Sequence, residues 1–172
     1  TITIMRAPIN MIGEAYRKVF LQLIGELKSS SEIYEIKRRF ISSTGVLFLL
    51  SLFLFLLGGV LLYYSKGWLL GGEWQELPSV YLLLLPWFVL LLTNIPAASL
   101  YTVFEKHKFI FYYEIIFMTF RIFSIILPIY FDYNFYSTLI SFVLVNVIFN
   151  IIYIFYSYVF ISKRSGNVKL YG

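Results

Sequence analysis

An all-α integral membrane helical bundle is the fold class this sequence predicts, with four transmembrane helices behind an N-terminal partial or amphipathic helix. Three observations carry the prediction. Hydrophobic residues make up 60% of the chain and charged residues only 13%, against ~25% charged in soluble domains. Four apolar runs, Phe40 to Ser65, Leu77 to Phe104, Phe109 to Phe131 and Tyr133 to Ser162, each exceed the ~20 residues a helix needs to cross ~30 Å of hydrocarbon at ~1.5 Å per residue. Within those runs the only Asp, Glu, Lys or Arg residues are Glu114 and Arg121. Hydrocarbon offers no partner to a bare N–H or C=O, so runs of this kind have to be helices.

From Thr1 to Lys28 the pattern is amphipathic. Ile9, Ile12, Tyr16, Val19, Phe20, Leu23, Ile24 and Leu27 recur at intervals of three and four, interleaved with Glu14, Arg17, Lys18 and Glu26. Two readings fit: a helix lying in the membrane interface, or the end of a span whose polar face turns into a protein interior. The second is favoured, because Pro8 is tolerated near a helix start and Arg6 and Glu14 stand far from the basic cluster that follows. Thr1 occupies the place of an initiator Met. The expectation is that residues 1–172 form a single membrane domain, the C-terminal portion of a longer protein.

Ser29 to Ser31 then read as a polar loop, and Lys37, Arg38 and Arg39 as a basic flank. In the first span Thr44, Ser51 and Gly58 recur every seven residues, a stripe of small side chains that lets another helix approach. Between Lys66 and Glu76, Gly67, Gly71 and Gly72 supply turn residues, and Trp68 and Trp74 are interfacial anchors. Pro86 and Pro96 in the second span each remove a ladder hydrogen bond and predict kinks. Lys106 and Lys108 mark a basic turn, and Asp132 an acidic one. On the last span Asn146, Asn150, Tyr153 and Ser157 share one helical face, and amides at that depth need partners.

Counted by alternate loops, one side carries Lys28, Lys37, Arg38, Arg39, Lys106, Lys108, Lys163, Arg164 and Lys169, while the other carries Lys66. This asymmetry predicts a cytoplasmic C-terminus. The net charge of +5 is thus spent in clusters flanking the spans, and nucleic acid is not an expected partner. With no cysteine and one histidine, His107, thiolate chemistry is excluded and neither a metal site nor a cofactor is expected. No P-loop pattern occurs, and the longest outer loop offers only Glu73 and Glu76, so the chain does not read as an enzyme.

The segment Trp68-Leu-Leu-Gly-Gly-Glu-Trp74, then Leu82-Leu-Leu-Leu-Pro-Trp87, Asn94-Ile-Pro-Ala-Ala-Ser-Leu-Tyr101 and the turn Glu105-Lys-His-Lys108 resembles polysaccharide flippases. These are the O-antigen and capsule type, within the superfamily that includes the multidrug and toxic compound extrusion transporters. The N-terminal helix with Pro8, Tyr16, Val19 and Phe20 resembles the helix that precedes these spans. The resemblance implies about twelve or more spans in two bundles around a central cavity, of which this chain matches the C-terminal part. It further implies a bacterial cytoplasmic membrane location, a polyprenyl-linked oligosaccharide as cargo moved by alternating access for surface polysaccharide synthesis, and, as partners, membrane lipids and an N-terminal lobe of the same protein. The other reading is a small non-transporting helical subunit or interaction module.

Four residues are candidates for binding substrate: Arg121, Glu114, Arg6 and Asn94. Glu114 and Arg121 lie two helical turns apart with Met118 between them, on one face. A charge at that depth costs about 2.5 kcal/mol or more, so the face should meet protein or water. The guanidinium of Arg121 suits phosphate oxygens or acidic sugars; pairing with a carboxylate on another helix is the competing explanation, and for Glu114 it is snorkelling to the basic interface. Arg6, Glu14, Arg17 and Lys18 pose the same question on the first helix, and Arg6, the deeper one, is the candidate for lining a cavity. Asn94 either meets sugar hydroxyls or hydrogen-bonds another helix beside Pro96. For Glu14 and Lys18 an i, i+4 ion pair is expected, and His107 reads as a solvated turn residue.

Overall fold

The computed structural model describes residues 2–69 and 76–168, with side chains described over 10–65 and 76–166. Within them the order is α1 (Ile2–Ser29), α2 (Ile33–Leu69), α3 (Leu77–Thr93), α4 (Ile95–Val103), α5 (His107–Tyr130) and α6 (Phe135–Val168). No strand occurs among the described residues. Four stretches are long and apolar enough to cross a membrane: Ile33–Ser65, Leu77–Val103, His107–Tyr130 and Phe135–Gly166, with α3 and α4 sharing the second. The architecture is an all-α helical bundle compatible with a multi-pass membrane protein. The side chains of Trp68 and Trp74, the Gly71–Gly72 pair and Lys169 lie outside the described residues.

Three of the turns share one design. Ser31, Glu105 and Asp132 adopt φ of 60°, 55° and 55°, the left-handed conformation that closes a helix C-terminus. In each, the following amide reaches back to a carbonyl five residues earlier: Glu32 N to Leu27 O at 3.0 Å, Lys106 N to Tyr101 O at 2.9 Å, and Tyr133 N to Pro128 O at 2.9 Å. These bonds satisfy carbonyls the helix ends would otherwise leave bare, which matters most near lipid.

The span made by α3 and α4 is the central one. In its most apolar window 56% of residues are buried, against 11% for α5. Two clusters form along it. Phe55 of α2, Tyr81, Leu84, Trp87 and Phe88 of α3, and Val143 of α6 make one; Phe20 and Ile24 of α1, Ile36 and Phe40 of α2, Leu100 and Tyr101 of α4, and Tyr153 and Ile161 of α6 make the other. Elsewhere the surface is densely apolar, with Phe53, Leu61, Phe111, Ile126 and Phe155 more than half exposed, as a hydrocarbon-facing surface should be.

The small-residue stripe seats α2 on α3 at two of its three positions. Fully buried Ser51 donates through Oγ to Val89 O at 3.2 Å. At Gly58 a Cβ would lie 2.7 Å from the Tyr81 hydroxyl, which itself donates to Phe55 O at 2.8 Å. Thr44 instead faces α6. α3 runs as continuous helix through Pro86 to Thr93. The second span divides at Asn94, two residues before Pro96, where the chain leaves α3 and restarts as α4. Pro96 has no N–H to return to Leu92, while Asn94 N still reaches Leu90 O at 3.0 Å.

α1 lies along the bundle instead of apart from it. Gly13 brings it against α4 so closely that a Cβ would meet Ile95 Cδ1 at 3.0 Å, and Phe20 and Ile24 enter the core. This is the packing expected of a span-like helix. Glu14 and Lys18 on its other side are exposed, and the ion pairs among the described residues are Lys28–Glu105 and Glu35 with Arg38 and Arg39, without Glu14–Lys18. Lys28, Lys37 and Arg164 gather at one end of the bundle. Lys28 Nζ donates to Val103 O at 2.7 Å, Arg164 stacks 4.6 Å from the Phe104 ring, and Lys37 sits 5.2 Å from the ring of Tyr158.

Replacing Gly58 with Ala is expected to push the Tyr81 hydroxyl off Phe55 O and to cost about 1 kcal/mol, the net worth of one hydrogen bond. In a Tyr81→Phe background the same replacement should cost much less, because the clashing oxygen is gone. Unfolding midpoints of the four proteins in mixed micelles give this coupling directly. Gly45→Ala, whose Cβ meets nothing within 4 Å, is the matched control.

Candidate functional site

α5 is held to α6 by aromatic packing. Phe117 stacks on Phe149 with centroids 4.9 Å apart and planes 10° apart, and Tyr113 packs 4.9 Å from Tyr153 while its hydroxyl donates to Phe149 O. These contacts fix the rotation of α5 and thereby the direction of its two charges. At ~1.5 Å per residue Arg121 stands about 21 Å along a helix about 36 Å long, well inside the span.

Arg121 is half-buried. Its Nε donates to Asn146 Oδ1 at 3.1 Å, and its Cζ lies 4.1 Å from the centroid of Phe117. The planar cation is thus stacked on one side and hydrogen-bonded at its edge. Asn146 is fully buried and donates its own Nδ2 to Phe142 O at 2.7 Å. One turn on, Asn150 Nδ2 donates to Asn146 O at 2.6 Å, and Asn150 Oδ1 accepts from Asn94 Nδ2. A continuous polar relay therefore runs from Arg121 on α5 through α6 to the break between α3 and α4.

Beside this relay lies a cleft of about 350 Å³. Arg17 of α1, Asn94 at the break, Glu114 and Arg121 of α5, and Asn150 and Tyr153 of α6 line it. Two guanidiniums, one carboxylate and two amides converge at span depth on one side of the bundle. The other face of Glu114 and Arg121 borders an apolar surface with Met118 and Ile122, and Met118 is 62% exposed. Such a cleft can hold an anionic or hydroxyl-rich group: the guanidiniums supply charge-assisted donors, and the amides supply both donors and acceptors. No cluster of His, Asp or Glu capable of holding a metal occurs among the described residues.

Three of the four sequence candidates meet here: Arg121, Glu114 and Asn94. The side chain of Arg6 lies outside the described residues. Asn94 makes the bond to another helix that was one of its two expected roles, while its Oδ1 is buried with no hydrogen-bond partner among the described residues. Glu114 is exposed at the rim and makes no ion pair among the described residues. His107 is the exposed first residue of α5, as expected of a turn position. The sequence did not mark Arg17 as a site residue; the signal available was its place next to Tyr16 and three residues before Phe20, at the edge of the buried face of α1. Asn150, expected to need a partner at its depth, bonds Asn94 and also lines the cleft. No protein-family model matches the chain, and no match was found among curated proteins or solved structures.

Asn94→Ala and Asn150→Ala should each destabilise the bundle, and the pair should be non-additive, since either change alone removes their shared bond. A coupling of about 0.6 kcal/mol, and no more than about 1.7, is the scale of interhelical hydrogen bonds in membranes. A double-mutant cycle on unfolding free energy in micelles measures it.

Proposed function

We propose that this chain is the C-terminal part of a polysaccharide flippase that carries a polyprenyl-linked oligosaccharide across the bacterial cytoplasmic membrane by alternating access. One observation carries the reading: Arg17 and Arg121 converge with Asn94 and Asn150 on one cleft at span depth. A charge as deep in a span as Arg121 costs about 2.5–3.5 kcal/mol on insertion scales, so a wet, anion-accepting lining is a use that offsets it. In this reading Arg121 and Arg17 attract the pyrophosphate or acidic sugars of the head group. Asn94, which lines the cleft, remains the candidate contact for sugar hydroxyls, and the open side of the cleft, with Glu114 at its rim, faces an N-terminal lobe of the same protein. The motifs that open the second span and the basic turn after it support the family resemblance. Arg6 belongs to the same polar side of α1 by sequence.

A second reading, a non-transporting helical subunit, is favoured by α5, whose buried residues are only Phe117, Ser124 and Pro128 among those described. Such a helix offers a broad surface to a partner. Charge reversal separates the two. In the complete protein, Arg121→Glu with unchanged expression and insertion should lower export of the lipid-linked sugar at least tenfold while leaving assembly intact. Undiminished export with lost complex formation would favour the subunit.

The basic end is placed on the cytoplasmic side, together with the C-terminus. The chain has no cysteine, so single replacements report topology cleanly. Asn134→Cys should react with a membrane-impermeant maleimide on intact cells, and Lys108→Cys only after permeabilisation. The reverse pattern would invert the orientation.

A further inference from the structure

A second concavity, of about 520 Å³, opens on a different face of α6, where α2 crosses it. That volume lies within the ~300–1,000 Å³ range of small-molecule sites. Its walls are Ile41 and Thr44 of α2 and Ile151, Ile154, Phe155 and Tyr158 of α6. The Thr44 hydroxyl is already committed to Phe40 O at 2.8 Å, so apart from the Tyr158 hydroxyl the lining offers a water nothing to bond. Both walls belong to helices long and apolar enough to cross a membrane, where hydrocarbon would border them. An acyl chain gains dispersion contact there that water does not.

The basic end of this groove is closed by a cation. Lys37 stands one turn before Ile41 on α2, with Nζ 5.2 Å from the ring of Tyr158, a wall residue. The nearby carboxylate, Glu35, is taken by Arg38 at 3.6 Å and Arg39 at 2.8 Å. Among the described residues Lys37 has no carboxylate within ion-pairing distance. An apolar groove at acyl-chain depth ending in an uncompensated ammonium at headgroup depth is complementary to one kind of molecule.

We infer that the α2–α6 groove binds an anionic phospholipid, one acyl chain lying against Ile154 and Phe155 and the headgroup phosphate meeting Lys37. The site is separate from the charged cleft and does not depend on the translocation reading. It is tested on the natural protein, with every further segment its gene encodes, reconstituted in phosphatidylcholine vesicles containing spin-labelled phosphatidylglycerol or spin-labelled phosphatidylcholine. The motionally restricted fraction should report about fivefold stronger association of phosphatidylglycerol, the effect of one basic side chain near a surface. Lys37→Gln should remove that preference, and Lys37→Arg should keep it. Thr44→Phe, which fills the groove, should reduce the restricted fraction for both lipids, and serves if Lys37→Gln does not insert. Equal association of the two lipids, or a preference that survives Lys37→Gln, overturns the assignment. So does efficient Phe155→Cys disulfide crosslinking between two copies, which would show the groove covered by a second chain.

Discussion

Hydrocarbon gives a polar side chain nothing to bond, so the polar groups at mid-span have to satisfy one another, and the relay Asn94–Asn150–Asn146–Arg121 is how they do it, with Asn94 Oδ1 the exception among the described residues. Each member solves a problem set by another. Pro96 forces an interruption in the second span and leaves Asn94 at its edge. Asn150 accepts the Asn94 amide and passes its own proton donor to Asn146 O. Asn146, buried completely, uses its remaining acceptor on the guanidinium that α5 brings in. Remove any one and a buried donor or acceptor is stranded, which costs more than the bond itself contributed. The relative placement of the second, third and fourth spans follows from this constraint together with the aromatic packing of Phe117 on Phe149.

Most of the fold was legible because hydropathy reports the solvent, and here the solvent is lipid. The same reasoning misplaced the helix ends. α2 begins at Ile33, well before the apolar run at Phe40, because Glu35, Lys37, Arg38 and Arg39 are helical while lying outside hydrocarbon. Pro86 and Pro96 read alike in the sequence, yet the span divides into two helices only beside Pro96. A proline alone does not say which will do so; two residues before Pro96, Asn94 had a partner waiting on α6. The stripe at Ser51 and Gly58 was readable because a seven-residue period of small side chains admits few other uses. Arg17 was legible only in part: its place at the edge of the buried face of α1 was visible, but its cleft is made by α1 lying beside α4 at Gly13 and Ile95, a tertiary fact.

The two sides of the bundle are chemically unlike. Around α2 and the outer face of α6, the exposed residues are aliphatic and aromatic, and charge appears only at the ends. Around α1 and α5, Glu14, Arg17, Lys18, Glu114 and Arg121 stand within the length of the helices. Lipid accepts the first kind of surface without cost. The second kind has to be wet or covered, because the basic end that could shelter a snorkelling side chain is roughly 20 Å of helix away from Arg121. This asymmetry is the physical content of the claim that the chain's polar side faces a second lobe or a passage.

The relay also sets the terms on which such a passage could change shape. Asn94 sits where the second span is already interrupted, and Arg121 sits where an anion would bind, with two asparagines between them. An anion that draws the guanidinium away from Asn146 leaves Oδ1 of that buried amide unpaired, and a shift of α6 that re-pairs it would move Asn150 and with it the break at Asn94. A ligand moves such an equilibrium only by its differential affinity for the two packings; a charge-assisted bond of about 1.5–3 kcal/mol made in one packing and absent in the other amounts to roughly ten- to a hundredfold in population. The energy scale of a single interhelical amide contact, under about 2 kcal/mol, is small enough for that bond to override. On the proposed reading, therefore, the residues that pay for burying Arg121 are the same ones that let its ligand be felt at the bend of the neighbouring helix.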